Sequence, residues 1–99
     1  MSESKESYRL PGDLTLKHAT KLSIVDDKPI MLDYWCPSLE SKAVIGARTE
    51  SGEKILVKSE DEYTSTIVKF YKCGTEFLVI TENSIYIVSS SIPNRRISS

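Results

Sequence analysis

The side chains that carry most enzyme and metal chemistry are scarce in this chain. Its 99 residues include one histidine, His18, and two cysteines, Cys36 and Cys73. A zinc site needs several nitrogen and sulfur ligands at close spacing, and the sequence has neither Cys-x-x-Cys nor His-x-x-His. A cysteine nucleophile with His18 as its base is an alternative. The simpler interpretation is a half-buried histidine and two small apolar side chains, so we expect no catalytic residue, no metal site and no cofactor.

Acidic and glycine residues also lack the spacing of a ligand site. Asp26, Asp27 and Asp33 form one acidic cluster, and residues 60–62 form another. A calcium loop needs oxygen ligands at regular offsets and a glycine at its sharp turn, and neither cluster has both. Turn formation explains the first cluster and solubility the second. The four glycines are isolated, which argues against a glycine-rich phosphate loop.

Aromatic and basic residues are interspersed in a way that is typical of proteins that bind single-stranded nucleic acid. The binding surfaces of those proteins stack bases on exposed aromatic rings beside lysine and arginine. The candidates are Tyr34, Trp35, Tyr63, Phe70, Tyr71 and Tyr86, with Lys42, Arg48, Lys54, Lys58, Lys69 and Lys72. The formal net charge is only −1. Because affinity for the phosphate backbone comes mainly from cations, this charge favours a protein partner over nucleic acid.

The elements that would position these residues are mostly strands. Residues 66–90 contain three apolar runs, 67–71, 77–80 and 85–88, separated by turn residues. Each run is apolar on both faces, whereas a half-exposed antiparallel strand alternates apolar with polar residues. Strands of this kind need cover on both sides. In so short a chain, we expect some of that cover to come from another molecule.

The first half of the chain is less decisive. Residues 13–25 follow a period close to two, which favours strand, but a helix capped by Asp13 is the alternative. Residues 30–35 are predicted as a strand, and residues 43–49 and 54–58 as a hairpin. We therefore predict an all-β domain, an antiparallel meander of about six or seven short strands rolled or closed as a small barrel.

The predicted domain occupies residues 13–90, between a flexible arm over 1–12 and a flexible tail over 91–99. If a helix follows residue 13, the order of elements resembles the helix and five-stranded barrel of Sm-like RNA-binding rings. Two short phrases, Asp61 to Ser65 and Thr81 to Val88, resemble small β-rich proteins of large DNA viruses. That resemblance covers a minority of the chain and implies no activity. It implies a place in the virion or the host cell.

Composition and terminal patterns give the expected compartment. No run approaches the length of a membrane span, and the polar N-terminus lacks the apolar core of a signal peptide. We therefore expect an intracellular, cytoplasmic localisation, two reduced thiols and no membrane partner.

The function we expect is that of a non-enzymatic protein-interaction or structural module. It would self-associate as a homo-oligomer or dock on a protein partner as a subunit of a larger assembly. Because aromatic side chains dominate interface energetics, the predicted binding residues are Tyr34, Trp35, Tyr71 and Tyr86. The alternative is a small β-barrel that binds single-stranded nucleic acid.

Overall fold

The structure, a computed structural model, describes residues 10–59 and 61–97, which form two helices and seven strands. The helices are α1 (Asp13–Asp26) and α2 (Trp35–Leu39). The strands are β1 (Ile30–Met31), β2 (Val44–Arg48), β3 (Lys54–Val57), β4 (Ile67–Cys73), β5 (Glu76–Thr81), β6 (Ile85–Ser89) and β7 (Asn94–Ile97).

The strands form two mixed sheets. The larger sheet has the order β1-β6-β5-β4, and the smaller has the order β3-β2-β7. β1 pairs with β6 and β7 pairs with β2 in parallel, and the other pairings are antiparallel. The predicted all-β antiparallel meander is confirmed only as a β-rich fold, because helices are present, two of the strand pairings are parallel, and in the described residues neither sheet closes into a barrel. Closure is not needed to cover the two faces of β5 and β6, because a helical layer covers one and the smaller sheet covers the other.

Residues 13–26 form α1, so the strand predicted there is wrong and the helical alternative is right. The buried Glu76 carboxylate accepts hydrogen bonds from the Gly12 N–H at 3.2 Å and from the Thr15 hydroxyl. A carboxylate at a helix N-terminus is favourable because the helix dipole is positive there. The helix ends at Asp27, whose φ of 55° is left-handed and whose N–H bonds to the Ser23 carbonyl.

The larger sheet is covered on both faces at its centre. One face of β5 and β6 packs under the helices, in a cluster formed by Ala19, Trp35, Leu78 and Ile87. The opposite face packs on the smaller sheet, in a cluster formed by Tyr34, Ala43, Ile45, Leu56, Val79, Val88 and Ile92. Neighbouring residues Leu78 and Val79 therefore point into different cores. The cover that the two-sided apolar pattern requires is supplied to β5 and β6 by the same chain.

The C-terminal segment differs from the flexible tail predicted over residues 91–99. Residues 94–97 form β7, which pairs with β2, and Ile92 is buried in the core between the sheets. The Ile45 N–H donates to the Pro93 carbonyl at 2.9 Å, which joins this segment to the smaller sheet. The polar residues of β7 led to the prediction of a tail. In the structure they are exposed to solvent on an edge strand. Residues 1–9 of the predicted arm lie outside the described residues.

Two further predictions have opposite outcomes. The hairpin predicted over residues 43–49 and 54–58 is confirmed as β2 and β3, with Gly52 at a φ of 78° in the turn. The strand predicted over residues 30–35 is mostly wrong, because only β1 forms there and Trp35 begins α2. Proline is tolerated in the first turn of a helix, so Pro37 does not prevent this short helix.

Candidate docking surface

The four predicted binding residues lie in three different places. Tyr34 and Trp35 are 4% and 3% exposed, in the core between the sheets and in the core under the helices respectively. Tyr86 is half-buried and packs edge-on against Tyr34, with ring centroids 5.3 Å apart. Tyr71 on β4 is 41% exposed. Of the four, Tyr71 is therefore the residue with the most ring surface open to a ligand.

The cluster around Tyr34 has the electrostatics of a structural site. Burial, together with the smaller electrostatic effects of Tyr86, Asp33 and Glu62, raises the pKa of Tyr34 to about 12. Lys58 holds its ammonium 4.8 Å from the centre of the Tyr34 ring and donates to the Asp33 carbonyl at 3.3 Å. At neutral pH the Tyr34 phenol is protonated, and its packing joins the segment before α2 to β6.

β4 contrasts with this interior because it is an edge strand. It pairs with β5 on one side, and residues 67–73 make no other backbone hydrogen bond within the described part of the chain. A register shift between Ile67 and Lys69 places a bulge at Val68, whose side chain is 53% exposed. Unpaired N–H and C=O groups along such an edge are a template for a further strand.

α1 leaves β4 uncovered. The helix packs against β5, β6 and β1, so a cleft of about 380 Å³ remains between it and β4. His18, Lys21 and Leu22 line the helical side of this first cleft, Tyr71 lines the strand side, and Leu78 of β5 also lines it. The cleft is mainly apolar with basic groups at its walls. It has the size and chemistry to accept an apolar side chain from another chain.

A second cleft flanks β4 on its other side. It has a volume of about 260 Å³ and lies between the β2–β3 turn, at Gly52 and Lys54, and residues 66–70. The edge of β4 thus has a concave surface beside each face of the strand. We call the outer edge of residues 67–73, together with these two clefts, the β4 surface.

The β4 surface is predominantly basic. Lys21, Lys72 and His18 line the first cleft, and no carboxylate is among its described lining residues. Lys69 and Lys54 line the second cleft, where Glu53 is the single acidic residue among those described. This local excess of cations is hidden in the chain-wide net charge of −1.

The residues weighed for catalysis are partly brought together. His18 and Cys73 line the same first cleft, and Cys36 lies in the core under the helices. No hydrogen bond, the contact through which a histidine base takes a proton directly, joins His18 to Cys73 among the described residues. The described residues contain no group of three or more His, Cys, Asp or Glu side chains placed to hold a metal ion. Both cysteines are thiols, and no disulfide joins them.

Comparison with known proteins gives no relative from which to transfer a role: no family model, curated protein or solved structure matches the chain. The resemblances drawn from short phrases and from element order stay predictions. Within residues 10–59 and 61–97, neither helix is long and apolar enough to cross a membrane.

Proposed function

We propose that the protein is a non-catalytic interaction module that docks on a protein partner, or on a second copy of itself, through the β4 surface. The observation that supports this most directly is the unpaired edge of β4 beside an uncovered cleft. Long exposed edges are usually shortened or covered, because they recruit other strands. Here seven residues, Ile67 to Cys73, present such an edge.

The exposed apolar side chains of this surface support the same proposal. Val68 and Tyr71 are 53% and 41% exposed on one strand. Tyrosine is enriched at protein interfaces because its ring buries a large area while its hydroxyl stays hydrated. Tyr34, Trp35 and Tyr86 contribute by holding β6 and the helices in place, since their rings are largely inside the fold.

Binding of single-stranded nucleic acid is the second candidate, favoured by Tyr71 lying beside Lys21 and Lys72. Sequence-tolerant single-strand sites stack successive bases on several exposed rings. Among the described lining residues of the first cleft, Tyr71 is the single Phe, Tyr or Trp side chain, and His18 is the one other ring. A protein partner therefore fits this surface better.

Site-specific photocrosslinking tests the proposal. A photoreactive residue at Val68 is expected to give discrete protein adducts in cells, or a dimer with purified protein. The same group at Lys42, an exposed position outside both clefts, is the control and is expected to give none. Identical adduct patterns from the two positions would contradict docking through β4. Nucleic-acid adducts from Val68, lost at high salt, would support the second candidate instead.

A further inference from the structure

The geometry points to an acidic, extended segment of a partner protein, which adds as a strand to the free edge of β4. This inference rests on the proposed function and names the chemistry of the partner. Strand addition draws its affinity from main-chain hydrogen bonds and its specificity from pockets for alternate side chains. β4 offers both, because its outer edge is unpaired and a cleft flanks each of its faces.

Charge selects the kind of segment. Lys21 and Lys72 with His18 line the cleft under α1, and Lys54 and Lys69 line the cleft on the other side. A docked strand sends its side chains alternately to the two faces, so carboxylates at every second position all lie on one face, and on the face of the second cleft they meet Lys54 and Lys69. Opposite charges on neighbouring strands are stabilising, and like charges are destabilising.

The same lysines disfavour a second copy of this chain as the occupant. Antiparallel pairing of β4 with its own copy would place Lys69 and Lys72 of both chains on two adjacent strands. Each copy would also bring Lys21 to the junction. Lysine on an edge strand is a common means of preventing such self-pairing. An acidic segment neutralises this charge, whereas a second β4 doubles it.

The cleft under α1 sets the second requirement. Its apolar walls include Leu22, Leu78 and the Tyr71 ring, and α1 packs on β5 and β6 without filling it. An added strand next to Tyr71 would direct every second side chain toward this cleft. The preferred segment therefore alternates carboxylates with apolar residues, so that one apolar side chain enters the cleft while the backbone pairs with β4.

The test uses three synthetic peptides with the full chain. The first alternates glutamate with valine, the second alternates lysine with valine, and the third keeps the glutamates and valines of the first but has a proline after each Glu-Val pair. At low salt the glutamate peptide is expected to shift the amide resonances of residues 67–73 and to slow their hydrogen exchange. Its affinity is expected to exceed that of the lysine peptide by about tenfold, and the gap to shrink at high salt. The proline peptide cannot donate the ladder hydrogen bonds and is expected not to bind.

Two matched variants locate the charge effect. Replacing Lys69 and Lys72 together by glutamine is expected to weaken the glutamate peptide by about tenfold while leaving the unfolding transition unchanged. Lys42→Gln, a lysine outside both clefts, is expected to leave the affinity unchanged.

The outcomes separate the inference from the proposed function. Equal binding of the acidic and basic peptides would overturn the acidic partner while leaving docking at β4 in place. Resonance shifts outside residues 67–73 and the two clefts, or binding of the proline peptide, would overturn strand addition. A glutamate peptide that fails to bind, together with a discrete adduct from Val68, would overturn only the inference. The loss of both signals would remove the proposed function as well.

Discussion

β5 and β4 are neighbouring strands of one sheet with very different surroundings. β5 is buried almost throughout, and β4 is mostly exposed or half-exposed along its length. Both contain an aromatic residue and several β-branched or leucine residues, so apolar content alone does not separate them. Their place in the sheet does, because β5 lies between β6 and β4 whereas β4 has one strand neighbour. The comparison locates the buried core at β5 and β6 and leaves β4 with the exposed edge on which the proposed docking depends.

The largest expected effect comes from charge in the covered pair. Leu78 and Val79 are fully buried and face the core under the helices and the core between the sheets. An uncompensated buried charge costs more than about 3 kcal/mol, so Leu78→Lys and Val79→Lys are each expected to unfold the domain. Val68→Lys on β4 is the control and is expected to change the free energy of unfolding by less than about 0.5 kcal/mol. Urea unfolding followed by circular dichroism measures all three.

The same experiment can contradict the conclusion that the chain itself covers both faces of β5. If Leu78→Lys or Val79→Lys gave a folded chain of lower native mass, a partner would be covering that face in solution. The interface would then lie on the centre of the larger sheet and not on β4.

The C-terminal segment gives the next largest effect. Ile92 is 4% exposed in the core that covers β5 and β6, whereas Ile24 on α1 is 76% exposed. Ile92→Ala is expected to lower the free energy of unfolding by about 2–5 kcal/mol. The matched Ile24→Ala is expected to change it by less than about 0.5 kcal/mol. Equal effects of the two substitutions would indicate that residues 91–97 behave as the flexible tail expected from their polar composition.

These comparisons show which parts of the fold the sequence could predict. Two-sided apolar runs correctly predicted strands at β4, β5 and β6, and Gly52 correctly marked a hairpin turn. At α1 the period favoured a strand and left the helix as the alternative, because the N-terminal anchor of the helix, Glu76, lies far along the chain. A tertiary hydrogen bond of that kind leaves no local pattern. β7 was missed because its exposed Arg95 and Arg96 made a core-covering strand look like a tail.

The candidate site could be predicted from the sequence only in part. Tyr71 was among the predicted binding residues, but Tyr34 and Trp35 were chosen on residue type alone and lie inside the fold. The signal that could have singled out β4 is the pair Lys69 and Lys72, since β5 and β6 contain no lysine. Lysines within an apolar strand indicate an edge. His18 and Lys21 could not be placed opposite Tyr71 until residues 13–26 were known to be helical.

Alkaline pH probes the covered region through Tyr34. The folded chain binds the phenol proton more tightly than the unfolded chain, because burial raises the pKa of Tyr34 from 10.0 to about 12. Its contribution to stability is complete below pH 10 and is lost as the pH rises toward 12. Urea unfolding from pH 9 to pH 12 should therefore show a fall that is less steep in Tyr34→Phe. Tyr63→Phe, at an exposed ring outside the cores, is the control and should keep the wild-type slope. Equal slopes in wild type and Tyr34→Phe would show that the Tyr34 hydroxyl is hydrated.

The smallest expected change in stability comes from the β4 surface itself. Tyr71 is partly exposed and lines the first cleft together with Cys73, a half-buried thiol two residues along the same strand. Tyr71→Thr replaces the tyrosine by a β-branched residue that is also favourable in strands, so the free energy of unfolding is expected to stay within about 0.5 kcal/mol of wild type. Loss of the ring opens the cleft, and the thiol of Cys73 in a Cys36→Ser background is expected to react faster with a neutral maleimide. Tyr63→Thr in that background is the control and should leave the labelling rate unchanged. If Tyr71→Thr lowered stability as much as Ile92→Ala, β4 would belong to the covered core, and the distinction between the buried core and the exposed edge at β4 would be wrong.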